Sequence, residues 1–133
     1  MDDRSELTAI RRKRFRLLPQ IAGPVGCGFI RKTEPETYTT SFCYPHSYVG
    51  VYVLSGEGWY RDEKRDLALS AGDFLHRIPG HAHQMAPYPG SDWYELFVQL
   101  PVPFMESLQA AHILDATFAE LIWHPGSDEM LRL

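Results

Sequence analysis

Short apolar runs separated by turn residues dominate the chain between residues 17 and 100. The runs are rich in Val, Tyr, Phe and Trp, which favour strands, and the clusters of Gly, Pro, Ser and charged residues between them favour turns. The predicted strands are Tyr38–Phe42, Val49–Leu54, Trp59–Arg61, Leu67–Leu69, Phe74–Ile78 and Trp93–Leu100. Many short strands with no helix between them predict an all-β antiparallel sandwich or barrel.

The pattern changes after Pro103, where apolar side chains stand at positions 104, 105, 108 and 111. This spacing predicts a helix. Nearer the C-terminus, Ser127 followed by Asp128 and Glu129 is typical of a helix start, because the Ser side chain caps free N–H groups and acids suit the helix dipole. The sequence ends about one turn later, too early for a stable helix. We therefore expect the natural chain to continue beyond Leu133.

Charge is distributed unevenly along the chain. Six of the 13 Lys and Arg residues precede residue 17, whereas only three of the 17 acidic residues do, so the remainder carries 7 basic and 14 acidic residues. Proteins bind nucleic acids by neutralising phosphates, and this acidic body argues against nucleic acid as its own ligand. We interpret residues 1–16 as an N-terminal arm, helical at best or disordered, 17–103 as the barrel and 104–133 as a truncated helical extension.

Composition and length exclude several classes of protein. The 133 residues, 44% hydrophobic and 23% charged, suit one globular domain. No apolar run approaches the length of a membrane span, and the acidic start is unlike a signal peptide. Cys27 and Cys43 do not form a CxxC pair, so we expect free thiols and a cytoplasmic location. The motifs of a nucleophilic serine or a phosphate-binding loop are absent.

The most specific stretch runs from Gly72 to His83. Gly72 and Asp73 suit the entry to a strand, and Pro79-Gly80 supplies a fixed φ followed by an easy positive φ, which predicts a type II turn. His83 then begins another extended segment. Upstream, the segment Tyr52–Gly58 ends a strand at a glycine turn. The two segments together predict paired strands joined by tight turns.

These segments resemble the two halves of a cupin, whose second motif has a glycine, an acid, apolar residues, proline-glycine and then histidine. The resemblance is closer to the N-terminal ligand-binding domain of AraC-type transcription regulators. The phrase Val53–Tyr60 is typical of those domains, as is the Pro-containing loop and aromatic strand of Tyr88–Val98. The similarity covers residues 38–103.

The resemblance implies a fold and a function. The fold would be a double-stranded β-helix (jelly-roll) barrel, and the function the sensing of a small-molecule effector without catalysis and without a cofactor. The full-length regulator would be a homodimer that binds DNA only through a C-terminal helix-turn-helix domain absent from this chain. No membrane partner is expected.

Enzymes with the cupin fold generally hold a metal ion with three histidines and a carboxylate. At the first-motif positions this sequence has Phe42-Cys43-Tyr44-Pro45 and, for the carboxylate, Val49; only His46 lies close. One inward histidine does not complete a site that needs three or four ligands. The departure favours binding over catalysis. The alternative is a stand-alone metal-dependent isomerase or oxygenase acting at His46, His83 and Glu95, with His81 or Cys43 as a further ligand.

Alternation along the last strand divides its side chains between two faces. Trp93, Glu95 and Phe97 share one face, and Tyr94 and Leu96 lie on the other. In the resembled domains the face bearing Glu95 looks into the barrel, and a Glu beside aromatic rings suits a ligand pocket. The alternative is that this face meets solvent and the other one forms the core.

The candidate ligand-binding residues combine this face with two other strands. They are Thr39, Ser41, His83, Met85, Glu95 and Phe97. The sugar-binding members of the resembled family use an arginine near Ser41, and its absence argues against a sugar. A further alternative is a dimerisation module whose interior is packed solid by side chains.

Overall fold

A computed structural model describes residues 11–15, 25–33, 46–114 and 122–123. The strands are β1 Arg11–Phe15, β2 Val25–Lys32, β3 Ser47–Ser55, β4 Glu57–Arg61, β5 Asp66–Ser70, β6 Phe74–Arg77, β7 Gln84–Pro87, β8 Trp93–Pro101 and β9 Ile122–Trp123; the helix α1 is Val102–Ala110. No helix in these ranges is long and apolar enough to cross a membrane.

The described strands form two antiparallel sheets. The larger has the order β1-β2-β8-β3-β6-β9 and the smaller β5-β4-β7. Non-consecutive neighbours such as β2 and β8, or β3 and β8, give the crossed-over connections of a double-stranded β-helix. The all-β prediction with a short helix after the barrel is confirmed.

The core lies between the two sheets. In the larger sheet, β3 and β8 pair so that Val51 faces Phe97 and Val53 faces Glu95. Val51, Val53 and Leu75 are fully buried, and burial of each stabilises the fold by roughly 1.5–3 kcal/mol. The core cluster contains Val49, Val51, Val53, Tyr60, Leu69, Leu75, Met85, Trp93 and Phe97.

Helix α1 packs on the outer face of the larger sheet. Met105 is buried there against Tyr48 of β3 and Leu100 of β8. The helix begins directly after Pro101, with a proline in its first turn, where the missing N–H would have no partner in the helix. Residues 104, 105 and 108, whose spacing predicted a helix, form the apolar face that packs against the sheet.

Two glycines permit tight local geometry. Gly80 has φ +75°, and His81 N donates to Ile78 O at 3.2 Å, so the turn forms where Pro79-Gly80 predicts one. A Cβ on Gly58 would lie 2.9 Å from Pro87 Cα and 2.9 Å from the Trp93 ring. This position therefore lets β4 approach both β7 and Trp93.

The structure differs from the sequence predictions at both ends. Arg11–Phe15 is a strand paired with β2, so the helical or disordered interpretation is wrong for these residues. The pairing with β2 stabilises a strand that five mostly basic residues do not predict. Ile122–Trp123 pairs with β6, although it falls within the predicted helical extension. The predicted strand Tyr38–Phe42 and the helix start at Ser127 lie outside the described residues.

Candidate functional site

A carboxylate lies buried in the barrel with two donors. Glu95, on β8, is 1% exposed. Its Oε2 accepts a hydrogen bond from Trp93 Nε1 at 2.7 Å and lies 3.3 Å from the Lys32 ammonium. The pairing of β2 with β8 brings Lys32 opposite Trp93, which places all three side chains on the inner face. Because charges are rarely buried unless they are paired, the contact between Lys32 and Glu95 explains why both charged side chains can be buried.

Burial decides the protonation of Lys32. Removal from water, opposed by Glu95 and reinforced by the nearby Arg77 charge, lowers the pKa of its ammonium to about 8. Arg77 belongs to the same inner face, since its Nη2 lies 3.9 Å from the Met85 sulfur. The barrel interior is therefore a positively biased environment around one carboxylate.

His83 lies at the edge of this interior and is neutral. Its ring stacks on Tyr60, with centroids 5.6 Å apart, and its Nδ1 lies 3.2 Å from the His81 carbonyl oxygen. Burial first, and then the Arg77 charge, lower the His83 pKa to about 4. A carbonyl only accepts, so Nδ1 carries the proton and donates, which fixes the tautomer of the neutral ring.

Asp62 connects the turn after β4 with the segment between β6 and β7, and we call this end of the barrel its mouth. It follows β4, and its side chain has no exposed area. Its oxygens accept hydrogen bonds from the Tyr60 hydroxyl at 3.0 Å, Lys64 N at 2.9 Å and Arg65 Nη1 at 3.3 Å, and His81 Nε2 lies at 2.9 Å. Burial alone would raise the pKa of Asp62, but these hydrogen bonds outweigh it and hold the pKa well below its usual range.

A cavity of about 440 Å³ opens beside this cluster. Its volume falls in the range typical of small-molecule sites. Its walls come from the turn after β4 and from the segment between β6 and β7. The lining residues are Arg61, Asp62, Glu63, Gly80, His81, Ala82, His83 and Gln84. The wall is thus mainly polar and offers carboxylate, imidazole, amide and guanidinium groups.

The structure places four of the six candidate ligand residues on the inner side of the barrel. Glu95, Phe97, His83 and Met85 are all buried, so the Glu95 face is inward and the solvent-facing alternative is wrong. Of these, His83 alone lines the cavity. Thr39 and Ser41 lie outside the described residues. Their contact with a ligand stays a prediction.

The alternative metal-binding set is not brought together. His46 is exposed and precedes Ser47, which pairs with Pro101, whereas Glu95 pairs with Val53 at the far end of the same ladder. Six residues of strand separate the two places by roughly 20 Å. Among the described residues, no group of three His, Cys, Asp or Glu side chains is placed to hold a metal ion.

Two functional candidates escaped sequence reasoning, Lys32 and Asp62, whereas His81 entered it only as a further ligand of the alternative metal site. Charged residues are rarely fully buried, and the run Asp62–Arg65 has the composition of a solvated turn. A usable signal existed for Asp62, because an Asp directly after a strand often accepts backbone N–H groups in a turn, as Lys64 N shows here. Nothing in the sequence alone pairs it with His81, nineteen residues away.

Comparison with solved structures identifies the fold. The chain is similar to a Cupin 2 conserved barrel domain protein from Salinispora arenicola, with a TM-score of 0.52, 17% identity, and 83% of this chain and 93% of that chain covered. It is similar to a protein with a double-stranded β-helix domain from Klebsiella pneumoniae, with a TM-score of 0.51, 20% identity, and 76% and 89% covered. The Schizosaccharomyces pombe Cnp3 cupin domain matches with a TM-score of 0.52, 7% identity, and 80% and 73% covered.

At these identities the likeness shows the cupin fold and nothing finer. No protein-family model matches the sequence, and no curated protein matches it. Function therefore has to be argued from the site itself.

Proposed function

We propose that this chain is a sensor domain that binds a small organic effector in the mouth cavity without converting it. The observation that carries this proposal is the cavity of about 440 Å³ between the turn after β4 and the β6–β7 segment. The wall of this cavity is held in place before any ligand binds, since the hydrogen bond between Asp62 and His81 connects the two segments. A preorganised wall binds a ligand with little ordering cost.

The packed interior favours the mouth over the centre of the barrel as the place of binding. Met85, Trp93 and Leu75 are fully buried in the core, and Glu95 is engaged by Lys32 and Trp93. A ligand at the centre would have to displace well-packed side chains or break this pair. A ligand at the mouth meets polar groups beside an open space.

The regulatory part of the proposal rests on sequence resemblance. The phrase Val53–Tyr60 and the segment Gly72–His83 are similar to AraC-type regulators, so we propose that the effector controls a separate C-terminal helix-turn-helix domain of a dimeric protein. The ligand would act by binding one arrangement of the regulator better than another. A gene that continues beyond Leu133 into two helix-turn-helix units would support this part, and a gene that ends there would contradict it.

Thermal unfolding with a panel of small molecules tests the binding itself. We expect at least one amino acid, organic acid or polyol to stabilise the protein in proportion to the logarithm of its concentration, by roughly 2.7 kcal/mol at a hundredfold excess over Kd. A panel without any such compound would contradict the proposal. Stoichiometric bound metal, lost in a His83→Ala variant, would instead favour a metal-dependent enzyme.

A further inference from the structure

Arg61 lies in the middle of a row of three side chains that crosses the smaller sheet. In β4 it pairs with Asp66 of β5 on one side and with Gln84 of β7 on the other. Residues paired in this way point to the same face of the sheet, so the three side chains are neighbours. Arg61 and Gln84 both line the cavity, whereas Asp66 is not among its lining residues. The cavity therefore borders Arg61 on its β7 side.

Two contacts hold the guanidinium of Arg61 in place. Its Cζ lies 4.4 Å from the centroid of the Trp59 ring, which belongs to the same face of β4 two residues earlier. Its Nε donates to Asp66 Oδ2 at 3.1 Å. A guanidinium is planar and attracted to the face of an aromatic ring, so the ring and the hydrogen bond together restrict its position and orientation.

The terminal nitrogens of Arg61 are the part of the guanidinium that a ligand can use. Asp66 engages only the Nε–H. Within the part of the chain that the structure describes, Arg61 makes no other hydrogen bond or ion pair. The N–H groups of Nη1 and Nη2 form a fork that matches the two oxygens of a carboxylate. Arg61 thus offers the cavity a positioned group for binding an anion.

The other charges of the cavity wall favour a ligand with a single negative charge. Asp62 and Glu63 also line the cavity. The Asp62 carboxylate is fully buried and lies 3.3 Å from the Arg65 guanidinium, whereas Glu63 is exposed. The carboxylate of Glu63 repels a dianion such as a phosphate monoester more strongly than a monoanion. A carboxylate therefore suits this wall better than a phosphate.

We propose that the cavity takes a small monocarboxylate, that Arg61 binds its carboxylate group, and that Trp59 is the positioning residue for the guanidinium. This inference rests on the proposed function of the cavity as a ligand site. It deepens that function by naming the charged group of the ligand and the residue that contacts it.

Matched pairs of probes test the requirement for a carboxylate. The probes are benzoate and cyclohexanecarboxylate, each with its carboxamide, which keeps the shape but removes the charge. Calorimetric titration of the wild-type chain should show the carboxylates binding roughly tenfold more tightly than the carboxamides, as expected for a charged hydrogen-bonded contact. Phenyl phosphate should bind more weakly than benzoate. Equal binding of acid and amide, or tighter binding of phenyl phosphate, would overturn the inference.

Variants of Arg61 test its role as the contact residue. Because 52% of the Arg61 side chain and 67% of the Asp66 side chain are exposed, their ion pair contributes little to stability, and Arg61→Met should fold like wild type. We expect this variant to bind benzoate roughly tenfold more weakly and benzamide unchanged. Arg61→Lys keeps the charge but loses the fork, so it should also weaken benzoate binding, by roughly fivefold.

Lys64→Met is the matched control for charge. Lys64 is exposed in the same turn and is not among the lining residues of the cavity, so its removal changes the net charge of the turn as Arg61→Met does. This variant should bind benzoate like wild type. Unchanged benzoate binding in Arg61→Met, or an equal loss in Lys64→Met, would overturn the inference.

The ratio of benzoate to benzamide affinity provides a readout for Trp59 that a purely structural role would not change. Trp59→Phe keeps an aromatic face under the guanidinium and should keep the ratio of the wild type. Trp59→Leu removes that face and should lower the ratio by roughly threefold. A Trp59→Leu variant that weakens both probes equally would contradict the positioning role.

The outcomes separate this inference from the proposed function. If carboxamides bind as well as carboxylates, or if only compounds without a carboxylate bind in the broader panel, the cavity is a ligand site and the inferred ligand class is wrong. If no compound of either set binds, both proposals fail.

Discussion

Two of the buried carboxylates in the described part of the barrel are satisfied in different ways. Glu95 lies inside, sealed with a lysine and a tryptophan, and its three-residue cluster is almost closed to solvent. Asp62 lies at the mouth and accepts from groups of two turns, one of which, His81, reaches an open cavity. The difference teaches that a buried carboxylate does not by itself indicate a ligand site. A ligand site is indicated where a side chain bonded to that carboxylate also lines an open cavity.

The two clusters also differ in what their loss should affect. Removing a partner of the sealed pair leaves an uncompensated charge in the core, so the cost falls on stability. Removing a partner at the mouth leaves groups that solvent can reach, so the cost falls more on ligand binding. Four changes in the chain or in pH test this contrast.

The largest effect on stability is expected from Glu95→Gln. The amide keeps an acceptor for Trp93 but leaves the Lys32 ammonium without a counter-charge, which should lower the free energy of unfolding by about 3–5 kcal/mol. Urea unfolding at pH 7 measures it. The double variant Lys32→Met/Glu95→Gln removes both charges and should recover most of the loss. A single variant as stable as wild type would contradict the sealed-pair interpretation.

Acidification should expose the second-largest effect, through His83. Its pKa of about 4 in the folded protein lies below its ordinary value near 6.5, so the unfolded chain binds the proton more readily between these values. Stability from this residue is complete above pH 6.5 and is lost as pH falls towards 4, by about 3 kcal/mol. Unfolding free energies at pH 7 and pH 4 should therefore diverge more in wild type than in His83→Gln. Parallel pH profiles would contradict a neutral buried His83.

A smaller loss is expected from Asp62→Asn. The amide keeps one acceptor oxygen, but its NH2 group cannot accept from Arg65 or His81, which should lower the free energy of unfolding by about 2 kcal/mol at pH 7. The depressed pKa of Asp62 contributes stability that is present above about pH 4 and is lost as pH falls through the folded-state pKa. Denaturation between pH 5 and pH 2 should consequently be steeper for wild type than for the variant. Identical steepness would argue against the four-donor arrangement.

The smallest stability effect is expected from His81→Gln. One-fifth of the His81 side chain is exposed and the amide can replace its donor to Asp62, so the free energy of unfolding should change by less than about 0.5 kcal/mol. Thermal unfolding at pH 7 measures it. A loss as large as that of Glu95→Gln would mean that the mouth and the interior do not differ in the way described.

The sequence predicted the parts of the fold in which local pattern and tertiary structure agree. The strand over Trp93–Leu100 and the Pro79-Gly80 turn appear as expected, because aromatic and β-branched residues and a positive-φ glycine favour these elements locally. Strand β2, Val25–Lys32, was missed because two glycines and a cysteine among its eight residues lower its strand propensity. Its pairing with β8 supplies the stabilisation instead.

The candidate site could be predicted only in part. Alternation grouped Glu95 with Trp93 and Phe97, and the resemblance to AraC-type domains implied that this face is the inward one; His83 was singled out by its place after the turn. The contacts of Lys32 with Glu95 and of Asp62 with His81 depend on strands and turns that are distant in sequence. A pattern of charges along one chain does not contain such pairings, because the strand register and the crossovers decide them.

Backbone amide NMR during titration with a bound compound is the most direct test of the central claim, that the mouth cavity is the ligand site. We expect shift changes to concentrate in residues 61–66 and 79–84, with the amides of Val51 and Val53 unaffected. Changes centred on Val51, Val53 and Glu95, with residues 79–84 unmoved, would place the ligand in the barrel interior and contradict the claim.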